Sequence, residues 1–400
     1  MTKQPPIAIV SPWYGPEVRG GAETDARHLA EHLHTRGVPI EVWTTCGQGA
    51  DVDWNTNHYP PGRSVINGVP VTRFPVTQID RDRSWPIYRR LARGGRVTPQ
   101  EEALIYTLSV RSRALCEHIR THPHHICVFT PYHLGTTYWG AYVAPERSFL
   151  IPCLHDEGFA HLITLRHLFR SVRGVLCNSH AEMRLIQQLF GISDERLTLI
   201  GDGIATHKQG HARAFRERYG IAAPFILYTG RKTAGKNVLL LLSYFCRYRQ
   251  RRDTDLELVL IGSGQVPIPP DCHAVRPGSR QAVHDLGFVP EQDKHDAYAA
   301  ATVFCQPSVH ESFSIVLMEA WMQGAAALVS ARCDVTREHC QRGQGGLYFN
   351  GYQEFEALLD LLLSNEGLRQ RLGERGRRYV EQNYTWEQIM NRFLKAVYDR

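Results

Sequence analysis

Short apolar runs alternate with longer amphipathic segments from one end of the chain to the other. The runs are IAIV (7–10), IEVWTT (40–45), ICVF (126–129), FLIPCL (149–154), VLCNS (175–179) and LTLIG (197–201). After Gly201 the chain turns polar over DGIATHKQGHARAFRERYG. The pattern then restarts with FILYTG (225–230), LELVLIG (256–262), VHDLGFV (283–289), TVFCQPS (302–308) and AAALVSA (325–331). Near-continuous aliphatic and β-branched runs of this length predict strands buried on both faces of a parallel sheet. The segments between them carry helical period, as in AETDARHLAEHLHTRG, which closes on Gly37 as helices often do. Strand–helix alternation predicts right-handed βαβ units, and its restart predicts two Rossmann-like, doubly wound α/β domains. The expected domains are 1–203 and 204–380. The last segment, 381–400, is helical in period, with Trp386, Ile389, Met390 and Phe393 on one face, and suits packing on either domain.

Composition narrows the class. The chain has 400 residues, 43% apolar and 22% charged, which are globular values for two domains. No 18-residue apolar run predicts a spanning helix, and the N-terminus lacks the charged start and long apolar stretch of a signal peptide. A cytoplasmic chain is expected. Ten cysteines without a CxxC pair, mostly inside apolar runs, read as reduced buried thiols. A net charge of +6 and a pI near 8.8 suit an anionic small ligand or an anionic membrane surface better than nucleic acid.

Open parallel sheets bind ligands beyond the carboxyl ends of their strands, so chemistry is expected in the strand-end loops. SPWYGPEVRGGAE follows the first strand and places Gly20 and Gly21 before a helix, where free N–H groups and a positive dipole end favour an anion. A plain loop is the alternative. FLIPCLHDE puts His155 and Asp156 after a strand, for contact with a sugar hydroxyl or phosphate, or as a structural His beside an acid. FILYTGRKTAGKN places Arg231 and Lys236 five residues apart after a strand, a planar fork and a point charge matched to phosphate oxygens. Asn237 after Lys236 excludes a Walker A loop. GSG at 262–264 and DLGFVPEQD supply further strand-end turns; backbone groups at Phe288 and Val289 could read a base edge or simply turn the chain.

The stretch HESFSIVLMEA carries Glu311 and Glu319 either side of an apolar run. Ser312 or Ser314 is the expected N-cap, with the helix stopping at Gly324. Glu311 then lies in the loop at the positive helix end, Glu319 about a turn and a half inside, and residues 313–316 offer N–H groups between them. A ligand with hydroxyls at both ends and phosphate in the middle, such as a nucleotide sugar, fits this layout.

The ordered set GGAE, HDE, NS (178–179), GDGI (201–204), GRKTAGK, GSG, LGFV and Glu311 with seven residues to Glu319 resembles the retaining glycosyltransferases of family 4, glycosyl transferases group 1, which have the GT-B fold. The resemblance implies two facing Rossmann-like domains with an interdomain cleft, the first for the acceptor and the second for the nucleotide sugar. It implies that Arg231 and Lys236 hold the donor diphosphate, Glu319 the ribose hydroxyls, and Glu311 the hydroxyls of the transferred sugar. Phe313, Ser314 and Ile315 match the backbone segment that meets sugar and phosphate. Gly20 and Gly21 match the N-domain loop near the donor, His155 a sugar contact, and Val289 the base-reading position. The sequence departs from the family in Glu-Ser-Phe-Ser, where glycines are usual, and in Lys-Asn, where Lys-Gly is usual.

The implied donor is a UDP- or GDP-sugar and the implied acceptor a glycan, a lipid-linked molecule or a small molecule. The pairs Asp51/Asp53, Asp80/Asp82 and Asp253/Asp255 spell DxD, but none cleanly follows an apolar run, so no essential metal is expected. The segment 79–96 holds six arginines with Trp85, Ile87, Tyr88 and Leu91; it suits peripheral contact with an anionic membrane or is a solvated insertion. HPHH at 122–125 reads as a solvated loop. A sugar-nucleotide epimerase or a non-catalytic nucleotide-sugar-binding module on the same fold are the competing readings. An NAD oxidoreductase is disfavoured because no GxGxxG follows the first strand.

Overall fold

The computed structural model describes residues 4–18, 20–269, 272 and 282–399. The chain forms two compact units, one of residues 1–202 with 386–400, the other of 203–385. The first is built on eight strands: β1 (Ile7–Ser11), β2 (Ile40–Thr45), β3 (Gly62–Ile66), β4 (Val69–Phe74), β5 (Ile126–Phe129), β6 (Ser148–Leu150), β7 (Gly174–Cys177) and β8 (Leu197–Leu199). They lie in the order β3-β4-β2-β1-β5-β6-β7-β8. Every pair is parallel except β3 with β4.

That hairpin corrects the all-parallel expectation. Asn67 and Gly68 both have positive φ, as a two-residue primed turn requires, so the chain reverses instead of crossing over. The second unit has β9 (Phe225–Thr229), β10 (Glu257–Ile261), β11 (Val283–Gly287), β12 (Val303–Gln306), β13 (Ala327–Ser330) and β14 (Gly346–Phe349), all parallel, in the order β11-β10-β9-β12-β13-β14. The strand β14 was not expected. GLYF is short and follows the polar QRGQG, so its apolar signal is weak.

β1 shows why these runs become strands. Ile7 and Ile9 enter one core cluster while Ala8 and Val10 enter another on the opposite face. Alternate side chains are buried on both sides, the condition under which a strand reads as continuously apolar. The cluster around Ile7 and Ile9 also takes Leu29 and Leu33 of the helix Gly21–Thr35 and Phe393 and Val397 of the helix Trp386–Tyr398. Trp386 stacks on His32 with ring centroids 4.1 Å apart, and Tyr398 donates to the Pro5 carbonyl. The C-terminal helix is therefore a structural part of the first unit.

Two further expectations need correction. Cys246 and Cys272 form a disulfide, so reduced thiols describe only the other eight. HPHH is not merely a solvated loop: His122 and His125 sit beside Trp43 together with His118, and His125 Nε2 lies 2.7 Å from Glu41 Oε1. Burial, with the His122 ring close by, holds His118 down at about 4.

Candidate active site

In the second unit the strand order reverses between β9 and β12, the crevice where open α/β sheets bind ligands. The loop after β9 carries Arg231 and Lys236, and the loop after β12 carries Glu311. The two loops are joined directly. Val309 and His310 both donate backbone N–H groups to the Gly235 carbonyl, at 3.0 and 3.3 Å. Lys236 Nζ reaches the His310 carbonyl at 3.2 Å and Glu311 Oε1 at 2.7 Å. The Lys236 ammonium and the Glu311 carboxylate thus form one unit.

The three cations of this loop have different fates. Arg231 is exposed, and no carboxylate among the described residues pairs with it. Its backbone carbonyl accepts from Tyr228 Oη at 2.8 Å, which fixes where the guanidinium starts. Lys232, which the sequence did not single out, has a fully buried ammonium. It pairs with Asp285 at 2.8 Å and donates to the Gly262 and Gly264 carbonyls at 2.6 and 3.3 Å. These partners tie the ends of β9, β10 and β11 together. Gly262 is required there: a Cβ would lie 2.0 Å from the Gly230 carbonyl oxygen, and its φ is +128°.

The Lys-Asn departure has a backbone explanation. Asn237 precedes the helix Val238–Arg251 with φ +55°, a left-handed conformation that Gly and Asn tolerate best. Asn237 also donates to the Pro307 carbonyl at 3.3 Å, a further bond between the two loops. The chain turns as a glycine would allow and gains a tether.

The second departure behaves differently. Ser314 precedes the helix Ile315–Met322, but its side chain does not cap it, contrary to expectation. Its φ is +77°, and its Oγ donates instead to Gln306 Oε1 at 2.7 Å. Phe313 is buried against His339 and Tyr384, so its side chain is unavailable to a ligand. Ile315 is half-buried at the helix start. Among the described residues, the N–H groups of 313–316 meet no protein acceptor, which leaves them for an anion.

Glu319 accepts from Lys294 Nζ at 2.9 Å and from Tyr298 Oη at 3.1 Å. Burial works against the Lys294 ammonium, but Glu319 and Glu291 outweigh it and strengthen its hold on the proton. Burial first, then the Glu319 charge, pushes the Tyr298 hydroxyl well above its ordinary value. Glu291, His295 and Glu319 converge closely enough to ligate a cation. Lys294 already supplies a positive charge there, 3.2 Å from Glu291 as well. The strand β11 stops at Gly287, short of the expected Val289. Phe288 is 69% exposed and Val289 is buried, so a base would meet Val289 only through its backbone.

In the first unit, Gly20 is the N-cap of the helix Gly21–Thr35, and a Cβ at Gly21 would meet nothing within 4 Å. His155 Nδ1 lies 3.1 Å from Glu157, not Asp156, which instead pairs with His161. Burial raises the Glu157 carboxyl, but the His155 bond and charge, His133 and Tyr132 more than reverse that and bring it to about 2. Glu182 Oε1 and Oε2 accept from the Leu154 and Asn178 N–H groups at 2.5 and 2.6 Å. Burial outweighs those bonds and raises Glu182 to about 8, and burial raises Asp202 to about 7. Glu182 is not legible in the sequence because a Glu in a helix after NS reads as an ordinary surface residue.

The helix Arg81–Ala92 buries Ile87, Tyr88 and Leu91 and exposes Trp85 between Arg81 and Arg89, whose guanidinium carbons lie 4.7 and 5.5 Å from its ring. Tyr88 packs on Phe159, just after the HDE loop. No described helix is long and apolar enough to cross a membrane.

Comparison with known proteins agrees with this geometry. The family described as Glycosyl transferases group 1 matches residues 213–379, and the Glycosyl transferase 4-like domain matches residues 20–203. An uncharacterised glycosyltransferase of Methanocaldococcus jannaschii is 28% identical, over 96% of this chain and 95% of that protein. The MMP α-(1→4)-mannosyltransferase of Mycolicibacterium hassiacum is 25% identical over 59% of this chain and only 56% of its own length. Among solved structures, HepE of Anabaena in complex with UDP-glucose superposes with a TM-score of 0.67 at 15% identity, covering 98% of this chain and 100% of that one. WaaG, a glycosyltransferase involved in lipopolysaccharide biosynthesis, gives 0.66 at 16% identity, covering 98% and 99%. The two family matches together span both units, and the chain belongs to the group 1 glycosyltransferases of the GT-B fold, enzymes of the hexosyltransferase type.

Proposed function

We propose that this glycosyltransferase moves a sugar from a nucleoside-diphosphate sugar, UDP- or GDP-linked, to a glycan, lipid-linked or small-molecule acceptor with retention at the anomeric carbon. The observation that carries the reading is the joined loop pair at the β9/β12 reversal, with Lys236 on Glu311, Arg231 exposed beside it, and the N–H groups of 313–316 between Glu311 and Glu319. Breaking the anomeric C–O bond sends its electron pair to the diphosphate. Arg231, Lys236 and the helix N-terminus stabilise that charge where it develops. The acceptor oxygen attacks the same face, and its proton passes to the leaving phosphate oxygen. Glu311 binds sugar hydroxyls and Glu319 the ribose; neither is assigned as a nucleophile.

HepE binds UDP-glucose, which supports a nucleotide-sugar donor for a chain of the same fold. The mannosyltransferase and the Salmonella typhimurium lipopolysaccharide 1,2-N-acetylglucosaminetransferase, 27% identical over 48% of this chain and 53% of its own length, support glycan assembly. His155, Gly20 and Gly21 keep the roles that the family resemblance implies for them. Because cations are supplied by side chains, turnover needs no metal. The exposed arginines of 81–96 favour a peripheral contact with an anionic membrane. An assay of hydrolysis and transfer across UDP-, GDP- and ADP-sugars, with and without EDTA, tests the reading. No binding and no turnover of any donor defeats it, and donor isomerisation without acceptor favours an epimerase instead.

A further inference from the structure

The last residue of β12, Gln306, is 1% exposed and lies at the centre of the site without being one of the ligand-facing groups. Its Oε1 accepts from Ser314 Oγ at 2.7 Å, and its Nε2 donates to Glu311 Oε1 at 2.8 Å. The Lys236 ammonium meets the same Glu311 Oε1 at 2.7 Å. Both donors therefore occupy one carboxylate oxygen, and among the described residues none engages Oε2. Ser314 holds a left-handed backbone that a non-glycine residue rarely adopts, at the turn that starts the helix Ile315–Met322.

We infer that Gln306 is a positioning residue that locks the sugar-facing acid and the phosphate-facing helix start into one geometry. The amide can do this because it accepts on one side and donates on the other. Its oxygen holds the Ser314 turn, and with it the N–H groups of 313–316. Its nitrogen, with Lys236, anchors Glu311 by Oε1 and leaves Oε2 to accept from a hydroxyl of the transferred sugar. Lys236 then has two tasks, to face the diphosphate and to hold Glu311. Loss of the Gln306 bond leaves Glu311 tethered by Lys236 alone, so the acid follows the lysine when the lysine turns to phosphate. The inference rests on the proposed roles of Glu311 and Lys236, but its geometry is testable without any donor.

Gln306→Glu places a second carboxyl against Glu311 Oε1. Two carboxylates so close cannot both ionise readily, so the pair shares a proton at low pH and repels as pH rises. Thermal unfolding of this variant is expected to match the wild type near pH 5 and to fall several degrees below it at pH 8. Adding Glu311→Gln is expected to abolish that extra pH dependence. If Gln306→Glu follows the wild-type pH profile, or if Glu311→Gln leaves its pH dependence in place, Gln306 does not hold Glu311 and the inference fails. Gln306→Leu separates positioning from bulk structure. With the sugar donor that the wild type uses, kcat is expected to fall about 100-fold, the cost of a small misplacement, while the affinity for UDP or GDP alone, which loses only the alignment of the 313–316 N–H groups, falls by no more than about tenfold. Wild-type kcat, or equal losses of nucleotide affinity and kcat with a lowered Tm, would overturn it. A wild type that binds no nucleotide sugar defeats the proposed function but leaves the pH test of the Gln306–Glu311 contact decisive.

Discussion

In the second unit Glu311 and Glu319 each meet an ammonium within 2.9 Å, whereas in the first unit Glu182 and Asp202 are buried with no ion pair among the described residues. On the proposed roles of Glu311 and Glu319, the difference separates acids that must stay available to a ligand from acids that serve the fold. A carboxylate next to Lys236 or Lys294 keeps an accepting oxygen beside a cation that also suits phosphate. A carboxyl under the strand ends of the first unit instead takes backbone N–H groups, as Glu182 does from Leu154 and Asn178. Burial then favours its neutral form. One site is arranged around charge and the other around hydrogen bonds.

The sharpest way to break this contrast is to remove Lys236. Lys236→Ala is expected to lower turnover about 100- to 1,000-fold, the usual loss when a charge-stabilising donor is removed, with Tm within a few degrees of wild type. Steady-state kinetics and a melting curve check it, and near-normal turnover would end the assignment. The neighbouring Lys232 is expected to do the reverse. Lys232→Ala removes a buried ammonium from the exposed Asp285 and from two glycine carbonyls, and losing hydrogen bonds to a charged group in this way costs about 2 kcal/mol. Arg231→Ala, at an exposed position, is expected to change stability by under about 0.5 kcal/mol yet weaken nucleoside diphosphate binding. Urea unfolding of the two variants side by side measures the split.

The first unit should declare its buried acids through pH. Glu182 has a folded value of about 8, against about 4.5 for an ordinary Glu. Between those limits the folded chain holds a proton that the unfolded chain has lost, so stability falls as pH rises through the window. Glu157, at about 2 when folded, works in the opposite sense. Its contribution is present above about 4.5 and lost as pH falls toward 2. Melting temperatures from pH 4 to 9 are expected to decline on the alkaline side, and Glu182→Gln is expected to flatten that decline. An unchanged slope in the variant would assign the loss to other groups. The smallest effect belongs to Ser314→Gly. Relief of left-handed strain, about 1 kcal/mol, offsets the lost hydroxyl bond to Gln306, worth about 1 kcal/mol, so stability should change by less than about 1 kcal/mol. A larger loss in chemical denaturation would mean that the hydroxyl bond dominates the turn.

How far the sequence reveals this depends on which level of structure carries each feature. Runs such as IAIV and FILYTG announce their strands because both faces are buried, and β1 divides its four apolar side chains between two clusters. Arg231, Lys236, Glu311 and Glu319 are visible because charged residues follow those runs. The hairpin β3/β4 had its own signal in the Asn-Gly pair, but β3 is mostly exposed and polar, so no apolar run marks it. Lys232, Gln306 and Lys294 were not legible. Each becomes important only through a partner between 5 and 53 positions away, such as Glu311 for Gln306 or Asp285 for Lys232. The pairing of His155 with Glu157 rather than Asp156 is likewise a matter of side-chain direction that spacing leaves open.

The central claim is that the β9/β12 loops bind a nucleoside diphosphate through Lys236 and Arg231. Calorimetric titration of the wild type and of Lys236→Ala with UDP and with GDP tests it most directly. The account predicts that at least one of the two binds the wild type, that it binds more tightly than the matching monophosphate, and that Lys236→Ala weakens it at least about tenfold, the effect of losing roughly 1.4 kcal/mol. Equal affinity in the folded variant, or no binding of either nucleotide to the wild type, would contradict it.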